Sequence, residues 1–372
     1  MRELSAAGPP QGARAPSGGS DPRNAGERGG KVLIVKLSSL GDVVHTMPAV
    51  QDLRQALPGI EIDWVVERAF APLVARCTGV RQIIPCELRR WRKTPFSGQT
   101  RMEWRAFKLA LQAQRYDAVI DLQGLTKSAL VSWLARTTPQ GRRFAMDNQT
   151  EGSGYEAPTR WVADVAIPLE PHVHAVHRAR LVCAAAMGYV LPSVQTFGLL
   201  AGSQGVAAAG PAGQADNTFT PRKPCVALVH GTSRADKQWP LAHWVELGQR
   251  LNHSGFVVAL AHGNTVEKAT SEAIAARLQD AWVWPAMGLD TLTDTMAQCA
   301  GVVGVDSGLS HIAVALGLPH VQLYNFDTAW RTGPVTGVPK AARQVSVFAS
   351  PYPDVDSVWH AWEGLDTPVL CR

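Results

Sequence analysis

KVLIVKLSSLGDVVHTMP, residues 31 to 48, passes from a hydrophobic run into polar, glycine-containing turn chemistry within ten residues. The run Val32, Leu33, Ile34, Val35 has the pattern of a central parallel strand buried on both faces. Ser38, Ser39, Leu40, Gly41 and Asp42 then stand at its carboxyl end, the edge where ligands of open α/β sheets bind. Gly41 allows a tight turn or a close backbone approach. Asp42 falls at or just beyond the first turn of the next helix, where free amides stabilise a carboxylate. A plain helix cap at Ser39 or Asp42 also explains an isolated SSLGD, so the rest of the chain has to decide.

Outward from this stretch, strands and helices alternate, the pattern of a parallel sheet covered on both faces. A helix is expected over Val43 to Leu57, with Pro48 in its first turn or kinking it, and Pro58-Gly59 ends it. Strands follow at 60 to 67 and near 80 to 85, with a short helix at 70 to 76 between them. YDAVIDLQGLTKSALVSWLA (116 to 135) repeats the opening grammar: a strand through Val119 and Ile120, then Asp121, Gln123 and Gly124 at its end, then a helix carrying Lys127. Residues 140 to 160, with Arg142 and Arg143, read as loop, and 172 to 189 as a helix. His172, His174 and His177 lack a carboxylate or thiol at ligand spacing, so no metal site is read there.

Residues 196 to 223 lose periodicity and read as a linker or loop, after which a second block begins. It has a strand at 224 to 230, the polar loop GTSRADKQWP (231 to 240), a helix, and a strand at 256 to 263. In CAGVVGVDSGLSHIAVALGLPHVQLYN (299 to 325), Val302, Val303 and Val305 form a buried strand, Asp306-Ser307-Gly308 a turn, and Leu309 to Leu316 a helix. The amides of that helix terminus suit a pyrophosphate, with Ser310 and His311 able to add hydrogen bonds. Thr232, Ser233 and Lys237 face the turn if both strands end on one sheet edge, and Lys237 then supplies the countercharge for a departing diphosphate. Neither GxGxxG nor GxxxxGK[ST] is present, which disfavours a nicotinamide dehydrogenase or a phosphate-loop enzyme.

The chain of 372 residues, 46% hydrophobic and 18% charged, is long enough for two folded domains. A net charge of +5 is modest, and nucleic acid is the weakest partner for the one basic cluster. That cluster, Arg89, Arg90, Arg92 and Lys93 around Trp91, places four cations in five positions, a repulsion that an anion relieves. Six scattered cysteines read as reduced, mostly buried thiols of a cytosolic protein. Residues 1 to 30, rich in Gly, Pro, Ser and Ala, read as a flexible leader or an over-long start, and no apolar run is long enough to cross a bilayer.

KVLIVKLSSLGDVVHTMPA, DWVVE, LRRWRK, YDAVIDLQGLTKSA, RADKQWP and VVGVDSGLSHIAVALGLP together resemble the bacterial lipopolysaccharide heptosyltransferases of glycosyltransferase family 9. RRWRK with DLQGLxKSA favours the branch that adds the first heptose over the branch that adds the second. The resemblance implies an α/β GT-B fold, two Rossmann-like α/β/α domains facing across a cleft: an acceptor domain (31 to 195) and a nucleotide-sugar domain (224 to 350). It also implies a C-terminal segment (351 to 372) whose helix packs back on the first domain. The implied reaction is inverting transfer of L-glycero-D-manno-heptose from ADP-heptose to the first Kdo of Kdo2-lipid A, with no metal or other cofactor. By resemblance Asp42 is the general base, Lys237 stabilises the diphosphate and Asp306 orients the sugar or the turn. Ser39, Gly41, Thr232, Ser233, Ser307, Gly308 and His311 surround the donor, Glu267 receives ribose hydroxyls and Met287 packs on adenine. Arg89, Arg90, Arg92, Lys93, Gln123, Lys127, Arg142 and Arg143 receive the acceptor's carboxylates and phosphates.

The expected setting is the cytoplasm, as a monomer against the anionic inner leaflet of the inner membrane. Ser233 and Ser307 stand where the family commonly has Thr, keeping a hydroxyl. YNFDTAWRTG (324 to 333) departs from the usual form and puts the contacts beside the diphosphate in question, and His177 replaces a frequent acid. Two alternatives are a heptosyltransferase acting on an already heptosylated acceptor and a non-catalytic anionic-lipid-binding protein of the same fold.

Overall fold

A computed structural model describes residues 30 to 202, 223 to 335 and 343 to 365. The leader, most of the linker and the end of the C-terminal segment lie outside the described residues. Strands β1 (Lys31–Val35), β2 (Glu61–Glu67), β3 (Val80–Cys86), β4 (Tyr116–Asp121), β5 (Thr137–Met146) and β6 (Val165–Ile167) form a parallel sheet in the order β3-β2-β1-β4-β5-β6. Their helices are α1 (Leu40–Ala56), α2 (Ala71–Val74), α3 (Leu88–Lys93), α4 (Gly98–Leu111), α5 (Thr126–Leu134), α6 (Pro158–Val162) and α7 (Ala175–Met187). Strands β7 (Cys225–Val229), β8 (Val257–Leu260), β9 (Ala281–Val283), β10 (Gly301–Val305), β11 (His320–Tyr324) and β12 (Gln344–Phe348) make a second parallel sheet, ordered β12-β11-β10-β7-β8-β9. Helices α8 (Leu241–His253), α9 (Thr265–Ala275), α10 (Leu289–Ala297), α11 (Gly308–Ala315), α12 (Ala329–Thr332) and α13 (Val355–Glu363) accompany it.

Both sheets share one topology, and each reverses strand order once, between β1 and β4 and between β7 and β10. A crevice opens at the carboxyl end of such a reversal because the two connections leave towards opposite faces. The registers Val35 with Asp121 and Gly304 with Val229 bring the four polar turns out level with one another in their own sheets. The central strands hold them firmly: Val32, Leu33, Ile34, Val226, Leu228, Val302 and Val303 are fully buried, each aliphatic side chain contributing about 1.5 to 3 kcal/mol.

The two halves meet through α1 and α11, and glycine sets how closely. A Cβ on Gly41 would stand 2.6 Å from His311 Cδ2, and one on Gly308 would stand 2.6 Å from Leu40 Cδ2. Gly41 thus makes room for a residue of the opposite domain, where the sequence suggested a turn or a ligand. Arg76 of the first half also pairs with Asp294 of the second, and the His172 ring stacks on Trp330 at 3.5 Å.

Several expectations change. Helix α1 begins at Leu40 rather than Val43, because the Asp42 carboxylate folds back to accept from the Ser39 N–H (3.1 Å) and hydroxyl (2.8 Å), so Pro48 lies in the helix interior. Part of the 140 to 160 loop is strand: β5 runs to Met146, pairing with β4 after a register shift, and α6 follows. Helix α7 starts at Ala175, leaving His172 outside it and His174 as its cap. Helix α13 does not return to the first domain. Its apolar face, Val355, Val358 and Trp362, is buried against β11, β12 and α8 of the second.

Candidate active site

Asp42 is held by three cationic or hydrogen-bonding partners at the end of β1. Besides the two bonds from Ser39, Lys36 Nζ lies 3.5 Å and the Arg178 guanidinium 3.8 Å from Asp42 Oδ1. Burial pushes the carboxyl up, but Lys36, the Ser39 bonds and Arg178 outweigh it, so Asp42 lies below the usual carboxylate range. Lys36 is itself buried, which lowers its pKa, and it donates to the Leu122 carbonyl at 2.9 Å. Arg178 arrives from α7, and burial lowers its pKa too.

Across the cleft, Asp306 leaves β10 with Lys237 Nζ 2.5 Å from Oδ2 and His311 Nε2 3.4 Å from Oδ1. Thr332 Oγ1 donates to the same Oδ1 at 3.3 Å. Burial raises the Asp306 pKa, but His311 and Lys237 reverse that and hold the acid well below its ordinary value. The Ser307 hydroxyl is buried and has no protein partner among the described residues, at the N-terminus of α11 where an anion would meet free amides.

Three histidines line the seam: His45 lies 4.3 Å from His311 and 6.1 Å from His174 between ring centroids. His174 Nδ1 accepts from the Val176 N–H at 3.2 Å, so Nε2 carries the proton and donates to the Gly333 carbonyl at 3.0 Å. Burial, partly offset by the Gly333 bond, brings His174 down to about 4, and burial together with His311 and His174 takes His45 well below its usual value. Both rings are therefore neutral at pH 7.

A cavity of about 180 Å³ joins the two centres, with Asp42 on one wall and Lys237, Asp306 and Ser307 on the other. A carboxylate and a lysine-backed helix terminus on opposite sides of one space can deprotonate a hydroxyl and receive a departing anion. Residues 104 to 357 match the sequence model of Glycosyltransferase family 9 (heptosyltransferase). The chain belongs to glycosyltransferase family 9. It is 38% identical over 304 residues to lipopolysaccharide heptosyltransferase 1 of Pseudomonas aeruginosa, covering 82% of this chain and 81% of that protein. The Escherichia coli K12 protein of the same description is 40% identical over 299 residues, 79% of this chain and 87% of its own. The solved structure of E. coli heptosyltransferase WaaC with ADP superposes with a TM-score of 0.75 at 32% identity, over 90% of this chain and 99% of that one. The paired sheets are those of a GT-B glycosyltransferase.

Of the residues expected from the sequence, this family 9 enzyme gathers Ser39, Gly41, Asp42, Ser233, Lys237, Asp306, Ser307, Gly308 and His311 around the cavity. Thr232 and Glu267 line an adjoining space of about 430 Å³ instead, with Glu267 Oε2 accepting from the Gly263 N–H at 2.6 Å. Met287 packs against the core, its sulfur accepting from the Thr295 hydroxyl at 3.7 Å. Gln123 braces the turn after β1: its Oε1 accepts from the Leu37 and Ser38 N–H groups at 3.0 Å each. Lys127 donates to Ser38 Oγ at 2.9 Å, and Arg90 is engaged by Glu87 and Glu103. Arg89, Arg92 and Lys93 are exposed on α3.

Arg142 and Arg143 sit in mid-strand opposite Ala118 and Val119, below the carboxyl edge. Arg143 donates to the Ser132 and Ala135 carbonyls at 2.9 and 3.0 Å, closing the end of α5. Neither stands at the carboxyl edge beside Lys127, because both lie in the interior of β5, a segment the sequence reads as loop. The sequence reading missed Lys36, His45, Arg178, Arg331 and Thr332. The last two come from the 324 to 333 segment that departs from the family form, so the departure contributes to the cavity directly.

Proposed function

We propose that this enzyme transfers L-glycero-D-manno-heptose from ADP-heptose to the first Kdo of Kdo2-lipid A, with inversion. The observation that carries the reading is the single cavity with Asp42 on one wall and the Lys237–Asp306–Ser307 cluster on the other. Asp42 Oδ1 takes the proton of the Kdo hydroxyl while that oxygen bonds to the anomeric carbon of heptose. The bond from this carbon to the diphosphate breaks, and its electron pair leaves on the ADP oxygen. A carboxylate held below its usual pKa is a weak base, but it is always ionised near neutrality, and the hydroxyl becomes acidic only as the new bond forms. Lys237, Arg331, the Ser307 hydroxyl and the α11 amides receive the charge on ADP, which supports a reaction without a metal ion.

The acceptor's anions fall to Arg89, Arg92, Lys93 and Lys127. The enzyme acts as a monomer at the cytoplasmic face of the inner membrane; no described helix is long and apolar enough to cross a membrane. The test is ADP release from ADP-heptose with Kdo2-lipid A, with and without chelator. Turnover in both, abolished by Asp42→Ala, supports the proposal. Turnover only with a heptosylated acceptor means the second-heptose branch, turnover unchanged by Asp42→Ala overturns Asp42 as the base, and no ADP release with either acceptor points to a binding protein.

A further inference from the structure

An open groove of about 570 Å³ lies between α3, α4 and the start of α5, outside the catalytic cavity. Trp91, Trp104, Leu125 and Leu130 form apolar walls, and Arg92, Lys127 and Glu156, the last engaged by Thr126, line its polar side. The surface beside it stays apolar. Trp133, 63% exposed, stands one turn beyond Leu130; Trp161, 79% exposed, lies on α6 packed beside α5; Phe96, 83% exposed, occupies the turn joining α3 to α4. Exposed side chains of this size on the elements that flank the groove mark a surface that meets an apolar partner. Arg92, Lys93, Arg101 and Arg105 border the same helices, all exposed, and among the described residues no carboxylate forms an ion pair with them. Aromatic rings mixed with unpaired cations suit the interface of an anionic bilayer, where rings sit at the headgroup level and cations meet phosphate.

Lys127 joins this groove to the reaction. It lines the groove, and its Nζ donates to Ser38 Oγ at 2.9 Å, one residue before the serine that fixes Asp42. We propose that this face docks on an anionic lipid leaflet and that the groove seats one hydrocarbon chain of the acceptor lipid, presenting its sugar head to Asp42. The inference rests on the acceptor reading above and adds a hydrocarbon site to it.

The test compares wild type with Leu130→Glu/Trp133→Ala on two acceptors: Kdo2-lipid A in phosphatidylglycerol–phosphatidylcholine vesicles, and its de-acylated, water-soluble sugar core. The variant is expected to lose about tenfold or more in kcat/KM on the acylated acceptor while keeping its rate on the soluble one, since a charge in an apolar groove forfeits the burial of the chain. Equal rates on both, or equal losses on both, overturn the proposal. Vesicle flotation without donor gives a readout independent of turnover. Wild type should float with phosphatidylglycerol vesicles and the variant about tenfold less, and undiminished flotation of the variant also overturns it. If wild type uses neither acceptor, the acceptor reading fails and flotation alone decides for or against the docking face.

Discussion

Replacing Lys36 by Met should bring the titration of Asp42, the proposed base, into the measurable range. Lys36 Nζ lies 3.5 Å from Asp42 Oδ1, an attraction of about 5 kcal/mol at an effective dielectric of roughly 20. The Asp42 side chain is 32% exposed, so solvent screening reduces this to ~1 to 3 kcal/mol, or about 1 to 2 pH units. In the wild type the acid is held below its ordinary value, and activity that needs the carboxylate falls only at pH values below the usual carboxylate range. Without Lys36 the burial that pushes Asp42 up is opposed only by Ser39 and Arg178, so the acid limb of the kcat profile must move towards neutral pH. Lys36→Arg, which keeps the charge, should restore most of the shift. The Leu122 carbonyl also loses its donor, a stability cost of about 1 to 3 kcal/mol. That cost lowers the melting temperature but cannot move a pH limb. The assay is ADP release against pH for the three proteins, with Asp42→Ala as the blank. An acid limb in Lys36→Met that coincides with that of the wild type refutes the electrostatic account of Asp42.

Lys237→Met should lower kcat by about 10² to 10³, because it removes the cation proposed to receive the leaving diphosphate and leaves Asp306 buried with only His311 and the Thr332 hydroxyl beside it among the described residues; steady-state ADP release checks it. Gly41→Ala places a methyl 2.6 Å from His311 and should destabilise the joined domains by about 1 to 3 kcal/mol while raising the donor KM, read by thermal melts and kinetics. His174 falls to about 4 in the fold against an ordinary value near 6.5, so the unfolded chain takes up its proton first as pH drops. Stability is complete above about pH 6.5 and declines towards pH 4, by up to ~3 kcal/mol from this residue. His174→Gln should flatten that decline in melts across the interval, whereas an unchanged slope would falsify the assignment.

How far the sequence was readable depended on whether a feature was local. The buried strands announced themselves through apolar runs, and the turns after β1, β4, β7 and β10 through polar residues and glycine at their ends. Asp42 stood out by its place in such a turn, and the family resemblance made it the proposed base. Lys36 was equally visible as a letter, but a lysine at a strand end is ordinarily solvated; its burial comes from β4 lying alongside and from Leu122, far away in the chain. Arg178 looked like one of several charges on a helix, and only the packing of α7 on α1 directs it at Asp42. The strand β5 escaped because Pro139, Gly141 and two arginines mask its alternation, and its pairing with β4 contains a register shift. The C-terminal helix and its return to the first domain were expected from the family resemblance alone, whereas the buried Val355, Val358 and Trp362 bind α13 to the second sheet.

The charges around the cleft explain why so many cations converge on a site whose base must remain accessible. Lys36, Arg178, Lys237 and Arg331 stand against Asp42 and Asp306, with Asp121 also acting on Lys36 from the end of β4, and the α1 and α11 termini add positive ends of their own. The cations remain in excess, so in the proposed reaction the anionic diphosphate of the donor is drawn to the cavity. Transfer then leaves a further negative charge on the diphosphate as the sugar departs, on the side where Lys237 is already placed. In the proposed reaction the proton moves the other way, onto Asp42, where it weakens the attraction of Lys36 and Arg178 for that carboxylate. Charge gained at the diphosphate and lost at the base thus change together, and the fixed cations between them stabilise the redistribution without moving, which is what preorganised electrostatic catalysis requires.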